Sequence, residues 1–212
     1  MKKSSPLMLE PWIDRNRLEA GCDEAGRGCL AGPVTAAAVV LQPDFAEQLV
    51  LEGHLNDSKK LTKAKREALR IEIEAYALAW AVTHVSPEEI DRINILNASF
   101  AAMRRSVRAL SLQADYMLID GNRFRTAEGL PEYGCYVKGD ARFASIAAAS
   151  VLAKTHRDAY MLELHPAFPS YGWDANAGYP TKQHRSAIRE HGITPHHRSS
   201  FRQLPEQMTL FG

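Results

Sequence analysis

Three strand-like stretches of the sequence each end in acidic residues. Asp23 and Glu24 follow the first stretch. Asp120 follows a later one, and Asp140 follows the last. A buried carboxylate is unfavourable unless a cation or several donors face it, and carboxylate oxygens are the ligands that hard divalent cations prefer. The sequence therefore predicts a metal site formed by these four side chains.

Each acid also has a local alternative that the sequence leaves open. Asp23 and Glu24 could form a polar turn between two strands. Asp120 could be a turn former in an Asp-Gly-Asn sequence, and Asp140 could cap a helix. The metal site is the more economical interpretation, because it explains all four acids at successive strand ends with a single requirement.

The strand ends also determine which acids can meet. In open α/β sheets the ligand site lies beyond the carboxyl ends of the strands, so acids at three such ends could share one crevice. Asp158 is excluded, because the eighteen residues between it and Asp140 span roughly 27 Å along a continuous helix. We expect Asp158 to form a structural ion pair with Arg157 instead.

The adjacency of Asp23 and Glu24 raises a geometric difficulty. Neighbouring side chains on a regular strand point to opposite faces of the sheet. We therefore expect the backbone to depart from strand geometry at Glu24, so that both carboxylates serve one site. Gly26 and Gly28 would make such a departure inexpensive, because glycine accepts positive φ.

The pattern of apolar residues and capping signals predicts an α/β fold. The predicted elements are, in order, a strand from Leu18 to Asp23, an antiparallel strand over 34–41, a helix capped by Thr62, a strand over 77–85, a short helix capped by Ser86, a helix over 96–110, strands over 116–119 and 133–138, and an alanine-rich helix over 141–164.

Composition is typical of a soluble globular protein of 212 residues, with 45% hydrophobic and 24% charged residues. The longest apolar run, over 34–41, is too short to cross a bilayer, and the first six residues lack the apolar core of a signal peptide. The three cysteines lack the paired spacing of a zinc site and are expected to be reduced thiols. We therefore expect a cytoplasmic protein.

The net charge is only +1, but basic residues are concentrated in one segment. Within residues 182–202 a single acid, Glu190, accompanies the following basic residues and histidines: Lys182, His184, Arg185, Arg189, His191, His196, His197, Arg198 and Arg202. Such a surface could bind a phosphate backbone, and a solvated helix face is the alternative.

Several stretches taken together resemble bacterial ribonuclease HII, the type 2 ribonuclease H. They are GCDEAGRGCLAGPV at 21–34, DSKKL at 57–61, EEIDRINILNASFAAMRRSV at 88–107, LIDGN at 118–122, KGD at 138–140, SIAAASVLAKTHRDAYM at 145–161, GYPTKQH at 178–184 and HRSSF at 197–201. The resemblance implies a ribonuclease H-like mixed β-sheet flanked by helices, with a small helical carboxyl-terminal region. It divides the chain into a catalytic core over 1–165, a helical lobe over 166–205 and a tail over 206–212.

The same resemblance implies hydrolysis of the RNA strand of RNA/DNA hybrids and incision 5′ to single ribonucleotides in duplex DNA. The family's metal ligands fall on Asp23, Glu24, Asp120 and Asp140 of this chain. They would hold two Mg²⁺ or Mn²⁺ ions about 4 Å apart, and the products would carry 3′-hydroxyl and 5′-phosphate ends.

Substrate selection would depend on a reader of the ribose 2′-hydroxyl. In the family this role belongs to the main chain of the turn at Gly26, Arg27 and Gly28, with a tyrosine matching Tyr179 that stacks on the sugar. The alternative for Tyr179 is a buried amphipathic aromatic. Further expected phosphate contacts are Lys59, Lys182 and Arg185.

The tail resembles the short peptide by which bacterial replication and repair proteins bind the sliding clamp. Leu210 and Phe211 would enter an apolar pocket while Gln207 makes polar contacts. A frayed terminus is the alternative. We expect a monomer. Two rival functions remain: another two-metal nuclease of the superfamily that acts on DNA, and a non-catalytic nucleic-acid-binding module.

Overall fold

The computed structural model describes residues 9–53, 55 and 61–205. Within them a five-stranded mixed sheet has the order β3-β2-β1-β4-β5. Its strands are β1 (Glu19–Ala25), β2 (Val34–Val40), β3 (Ala79–Val85), β4 (Tyr116–Asp120) and β5 (Glu132–Tyr136). Strands β1, β2 and β3 pair antiparallel, whereas β4 pairs parallel with β1 and with β5. The predicted α/β class and strand order along the chain are confirmed.

The described residues also contain seven α-helices and three short 3₁₀ turns. The helices are α1 (Pro43–Leu51), α2 (Lys63–Tyr76), α3 (Pro87–Ile93), α4 (Ile95–Arg108), α5 (Ala144–Leu164), α6 (Trp173–Asn176) and α7 (Lys182–His191). The 3₁₀ turns span Gly139–Ala141, His165–Ala167 and Pro169–Tyr171. None of these helices combines the length and the apolar character needed to cross a membrane.

The capping predictions are confirmed, whereas some helix limits are not. The hydroxyls of Thr62 and Ser86 accept hydrogen bonds from the main-chain amides three residues later. Helix α1 was not predicted, because its polar residues resemble a connection and its N-cap, Gln42, makes no side-chain cap. Helix α5 begins at Ala144 rather than at 141, because Lys138 adopts a left-handed conformation and a 3₁₀ turn follows it.

Helices cover both faces of the sheet. The two-residue period of the strands sends Ala25, Ala37 and Val39 toward α5 and sends Cys22 and Ala36 toward α4. Helix α5 carries five alanines within residues 144–153, and it packs closely on β1. A Cβ built on Gly21 would lie 2.1 Å from the main-chain carbon of Ser145. Strand β1 is therefore held against the backbone of α5 without intervening side chains.

The chain beyond Leu164 packs on the rest of the protein through an apolar cluster. Leu30, Ala31 and Met161 contribute to it from before that point, and Tyr171 and Trp173 contribute from after it. The division into a core over 1–165, a lobe over 166–205 and a tail over 206–212 stays a prediction.

We expect Gly21→Ala to lower the free energy of unfolding by roughly 3 kcal/mol, because the clash is with main-chain atoms that no rotamer change can relieve. Urea denaturation of the wild type and the variant would measure it. Gly28→Ala is the matched control, because a Cβ there would meet no atom within 4 Å. Equal midpoints for Gly21→Ala and wild type would contradict the close contact between β1 and α5.

Candidate active site

Asp23 and Asp120 lie beside each other at one end of the sheet. The parallel pairing of β1 with β4 ends at Cys22 and Ile119, so the next residue on each strand is an aspartate. Asp120 Oδ1 accepts a hydrogen bond of 2.8 Å from the main-chain amide of Gly139. Asp140, which is buried, directly follows Gly139 in the sequence, so it also lies near the end of β4. The structure thus brings the acids of three strand ends to one edge.

The predicted departure from strand geometry at Glu24 is wrong. The pairing of β1 with β2 continues through Glu24 opposite Ala36 and ends one residue later. Asp23 therefore faces α5 and Glu24 faces α4, as the alternation of a regular strand requires. Both nevertheless adjoin Asp120, because β1 extends beyond the last residue that pairs with β4. Two adjacent carboxylates can thus flank one strand end from opposite faces.

Each of these carboxylates is directed toward a donor from the protein. The main-chain amide of Glu24 donates to Asp23 Oδ1 at 2.7 Å, and Ser150 and Lys154 on α5 also stabilise the Asp23 carboxylate. Arg27 Nη1 donates to Glu24 Oε1 at 3.2 Å. These donors compensate only part of the negative charge that the fold collects at this edge.

The carboxylates disfavour one another's ionisation. Burial, followed by the negative charge of Asp120, raises the pKa of Asp23 to about 6. Burial, followed by the charge of Asp23, raises the pKa of Glu24 to about 7, although Arg27 opposes this shift. At neutral pH the ionised cluster is therefore unfavourable for the folded protein. A bound cation would reverse that effect.

The donor set suits a hard divalent cation, but the side chains are not arranged around one. Across residues 9–53, 55 and 61–205, no group of three or more His, Cys, Asp or Glu side chains is placed to hold a metal ion. The hydrogen bonds from Arg27 to Glu24 and from Gly139 to Asp120 explain part of this, because they direct carboxylate oxygens toward protein donors. The all-oxygen chemistry fits Mg²⁺ or Mn²⁺.

Two buried arginines hold the loop that follows β1. Arg157 on α5 donates from Nε to the carbonyl of Pro33 and from Nη2 to that of Ala31. Its Nη1 donates to the carbonyl of Ala177 at 2.8 Å, which ties the carboxyl-terminal region to the loop. The predicted ion pair between Arg157 and Asp158 is therefore wrong. The guanidinium charge is met by main-chain dipoles.

Arg198 holds the other side of the same loop. Its guanidinium donates to four carbonyls at 2.7–3.0 Å, those of Gly26, Arg27, Gly32 and Pro33. Burial lowers its pKa to about 10. The basic segment had suggested a surface residue here. Arg198 is fully buried instead. Carbonyl acceptors leave no sequence pattern, so neither arginine could have been assigned this role from the sequence.

The two glycines of the turn have different environments. Gly26 has a φ of +86°, and a Cβ on it would lie 2.0 Å from Arg157 Nε, so the fold itself requires glycine there. Gly28 is exposed, and a Cβ on it would meet no protein atom within 4 Å. Arg27 between them is half exposed and contacts Glu24. The fold therefore does not account for a glycine at position 28.

Tyr179 lies next to this turn with 45% of its surface exposed, so the alternative of a buried aromatic is wrong. The guanidinium of Arg157 lies 5.6 Å from the centre of its ring. The preceding residue, Gly178, accepts a hydrogen bond from the amide of Leu30 at 2.9 Å. The exposed tyrosine is thus fixed to the loop that follows the two acids.

A buried histidine pair holds the main chain of Tyr179. The amide of Thr194 donates to His197 Nδ1, which assigns the proton of His197 to Nε2. That Nε2 lies 3.2 Å from His184 Nε2, which also accepts from Trp173. His184 must then carry its proton on Nδ1, which donates to the Tyr179 carbonyl at 2.9 Å. Both histidines are neutral and lie inside the protein, not on the predicted basic surface.

The other predicted contacts are placed as follows. Lys182 is exposed at the first position of α7. Arg185 is half buried, and its Nη1 donates to the carbonyl of Gln203 at 2.5 Å, so it holds the carboxyl-terminal segment. The remaining predicted contacts lie outside the described residues: Lys59, Gln207, Leu210 and Phe211.

Glu24 and Asp120 open onto a groove of about 350 Å³. Its walls are α4, the turn after β1 and the segment after β4, and its lining residues are Glu24, Arg27, Leu96, Ser99, Phe100, Met103, Asp120, Gly121, Asn122 and Arg123. Acidic and basic groups thus face one open channel at the carboxyl ends of the central strands. Such a channel suits a polyanionic substrate that must approach a cation site.

Residues 20–204 match the family model of ribonuclease HII. The chain is also 59% identical to ribonuclease HII of Phocaeicola vulgatus over 197 residues, which cover 93% of this chain and 95% of that protein. The chain belongs to the ribonuclease HII family. It is accordingly a metal-dependent ribonuclease H of type 2, and the predicted family and mixed-sheet fold are confirmed.

Solved structures of related enzymes share the fold. Ribonuclease H2 from Pyrococcus horikoshii superposes with a TM-score of 0.73 at 24% identity, over 87% of this chain and 94% of that one. Ribonuclease HII in a complex with PCNA from Archaeoglobus fulgidus has a TM-score of 0.70 at 26% identity, over 91% and 98%. Bst-RNase HIII in complex with Mn²⁺ has a TM-score of 0.71 at 20% identity, over 88% and 68%.

We expect Asp23→Asn to stabilise the metal-free protein at about pH 8 by up to roughly 3 kcal/mol, because it removes a buried charge beside Asp120. The gain should shrink as the pH falls through the raised pKa of Asp23 toward the value of the unfolded chain. Urea denaturation in chelator at about pH 8 and about pH 5 would measure it, with the exposed Glu190→Gln as control. A variant less stable than wild type at both pH values would contradict the repulsion.

Protonation of the neutral His197 should make a destabilising contribution in mild acid. Burial lowers the pKa of His197 to about 4, so between about pH 6.5 and 4 the unfolded chain binds a proton that the folded protein does not. This residue should therefore cost roughly 3 kcal/mol across that range. Because Asp23 and Glu24 act in the opposite direction, the measurement compares pH profiles of unfolding for wild type and His197→Gln. The free energy of unfolding of His197→Gln, relative to that of wild type, should rise by roughly 3 kcal/mol as the pH falls from about 6.5 to 4, whereas exposed His191→Gln should follow wild type.

Proposed function

We propose that this enzyme cleaves the RNA strand of RNA/DNA hybrids and incises duplex DNA 5′ to a single embedded ribonucleotide. The products would carry 3′-hydroxyl and 5′-phosphate ends. The observation that carries the proposal is the continuity of β1 with the turn after it. Asp23 and Glu24 come directly before a turn in which the carbonyls of Gly26 and Arg27 are bound by the buried Arg198, and Arg157 holds the following part of the same loop. The acids that take part in cleavage and the turn that reads the ribose would thus be held at a fixed separation.

The main chain of Gly26, Arg27 and Gly28 would read the 2′-hydroxyl. Sugar recognition by main-chain groups needs close approach, and the open space around Gly28 supports it. A side chain at position 28 would project into solvent without touching the protein. Such a side chain would therefore weaken substrate binding without destabilising the fold.

Tyr179 would stack on the sugar next to the cleavage junction. Its exposed ring and its fixed main chain support this role, because a preorganised aromatic surface loses little entropy on binding. The amides of Leu30 and Ala31 both lie within hydrogen-bond distance of the Gly178 carbonyl. The ring and the turn would therefore contact the substrate as one rigid unit.

Asp23, Glu24, Asp120 and Asp140 would hold two Mg²⁺ or Mn²⁺ ions. When bound, such a pair supplies an activated water and charge stabilisation at the scissile phosphate. The protein's own part is to bring the four carboxylates to one sheet edge. Lys154 and Arg27 limit the repulsion between the acids before the ions arrive.

A single cleavage assay tests the proposed function. The substrates are a DNA duplex with one ribonucleotide, an RNA/DNA hybrid and an all-DNA duplex, each tested with Mg²⁺ or Mn²⁺. We expect cleavage of the first two and loss of it in Asp120→Asn. Equal cleavage of the all-DNA duplex would instead identify a DNA nuclease of the same superfamily. No metal-dependent cleavage of any duplex would overturn the proposal.

Two variants separate sugar reading from folding. Gly28→Ala and Tyr179→Ala should each reduce cleavage at a single ribonucleotide at least tenfold, which corresponds to about 1.4 kcal/mol. Their urea midpoints should stay close to wild type, because both sites are exposed. Tyr76→Ala, which removes another exposed tyrosine, is the control for Tyr179→Ala. Unchanged cleavage in both Gly28→Ala and Tyr179→Ala would refute the proposed ribose reader.

We further propose that Lys59, Lys182 and Arg185 contact substrate phosphates, that the enzyme acts as a monomer, and that the tail binds the sliding clamp through Gln207, Leu210 and Phe211. The structure of an archaeal ribonuclease HII with PCNA supports the last of these by analogy. Deletion of residues 207–212 should abolish binding to a purified bacterial clamp while leaving cleavage of a short hybrid unchanged. Equal clamp affinity with and without the tail would refute that interaction.

A further inference from the structure

Four arginines form a second basic surface at the far side of the groove. Arg104 and Arg108 lie on α4, and Arg123 and Arg125 lie in the segment after β4. Arg104 Nη1 donates to the carbonyl of Arg125 at 3.1 Å, and Arg108 Nη2 donates to that of Glu128 at 2.9 Å. The helix thus holds the segment beside it, and the two pairs of arginines form one patch. We call these four residues the arginine patch.

Among the described residues, like charges and not ion pairs surround the arginine patch. Burial and the neighbouring Arg108, Arg105 and Arg125 lower the pKa of Arg104, which is the effect of like charges held close together. Arg105, by contrast, forms a two-pronged ion pair with Glu89 at 2.7 and 2.9 Å. Within the described residues, no member of the patch has such an ion pair. An anion from outside the protein would be attracted to this surface.

The arginine patch continues the groove that Glu24 and Asp120 line. Arg123 lines that groove together with Glu24 and Asp120. On α4, Phe100 lines the groove, and Arg104 and Arg108 follow it at intervals of four residues, which places all three along one side of the helix. Each interval advances about 6 Å along the helix. The positive charges therefore extend away from the carboxylates in one direction.

An aromatic cluster makes the base of the arginine patch rigid. Phe124, which lies between Arg123 and Arg125 in the sequence, packs edge to face on Phe100 at 5.6 Å and on Tyr133 at 5.2 Å. The ring is thereby anchored to α4 and to β5. Arginines presented from an anchored segment lose less entropy on binding than arginines of a free loop.

We propose that the arginine patch binds the phosphate backbone of the substrate duplex on the α4 side of the groove, opposite the side that carries Tyr179. The inference rests on the proposed function only in requiring that the substrate is a nucleic-acid duplex. Phosphate contacts position a duplex without reading its sugars or bases. The patch should therefore contribute equally to binding of all-DNA, hybrid and ribonucleotide-containing duplexes.

The test measures duplex affinity without cleavage. Binding of the full chain to fluorescein-labelled duplexes in chelator is followed by anisotropy between about 50 and 200 mM NaCl. In Arg123→Gln/Arg125→Gln the slope of log K against log salt should fall by about two, because each lost phosphate contact removes about one counterion. The affinity at about 100 mM salt should fall at least tenfold, by the same factor for all three duplexes.

Matched variants separate charge from structure. Arg15→Gln/Arg70→Gln makes the same charge change at exposed or half-exposed pairs near α1 and on α2, and it should leave the slope unchanged. Arg123→Lys/Arg125→Lys should keep most of the wild-type slope, because lysine also neutralises a phosphate. Arg104→Gln/Arg108→Gln should also reduce the slope of log K against log salt. The urea midpoint of this variant shows whether its fold is intact.

The outcomes of the two proposals are distinguishable. A slope for Arg123→Gln/Arg125→Gln equal to that of wild type, or equal to that of the Arg15/Arg70 control, would overturn the role of the arginine patch. A reduced slope for every duplex in an enzyme that fails to select ribonucleotides would leave the patch supported and refute only the proposed function. A loss confined to the ribonucleotide duplex would also overturn the patch as a phosphate contact.

Discussion

The binding of main-chain carbonyls by two buried arginines is the interaction on which the rest of the site depends. Arg157 and Arg198 together make seven hydrogen bonds, six of them to the loop from Gly26 to Pro33. A loop whose carbonyls are hydrogen-bonded by buried side chains cannot change conformation without leaving a buried guanidinium unpaired. An unpaired buried charge lowers the stability of the fold. The loop is therefore rigid although it has no regular secondary structure.

The carboxylate edge has the opposite energetic character. The fold collects buried acids that raise one another's pKa, and it compensates them only in part with Lys154 and Arg27. This edge could therefore gain free energy from a bound divalent cation, which a fully neutralised edge could not. The arginine-bound loop directly follows Asp23 and Glu24 in the chain. The rigidity of this loop therefore limits the disorder that repulsion between the carboxylates could cause.

The sequence predicted the elements that have a period or a cap, and it failed where structure depends on long-range main-chain contacts. Alternation identified β1, and capping residues identified α2 and α3, because these signals are local. The expected break at Glu24 was wrong because the length of β1 relative to β4, which the sequence does not specify, brings both acids to Asp120. Arg198 could not be recognised because its acceptors are carbonyls more than 160 residues away. The acids themselves were predictable because they interrupt apolar stretches.

Helix α5 serves both parts of the site along one face. Ser150, Lys154 and Arg157 recur at intervals of four and three residues, the first two beside Asp23 and the third under the loop. Gly21 fixes this helix to β1 by direct backbone contact, so the helix cannot shift past the strand. Any displacement of α5 would therefore disturb the carboxylate edge and the arginine-bound loop together. The two parts of the groove are mechanically coupled, and a substitution that moves one is expected to move the other.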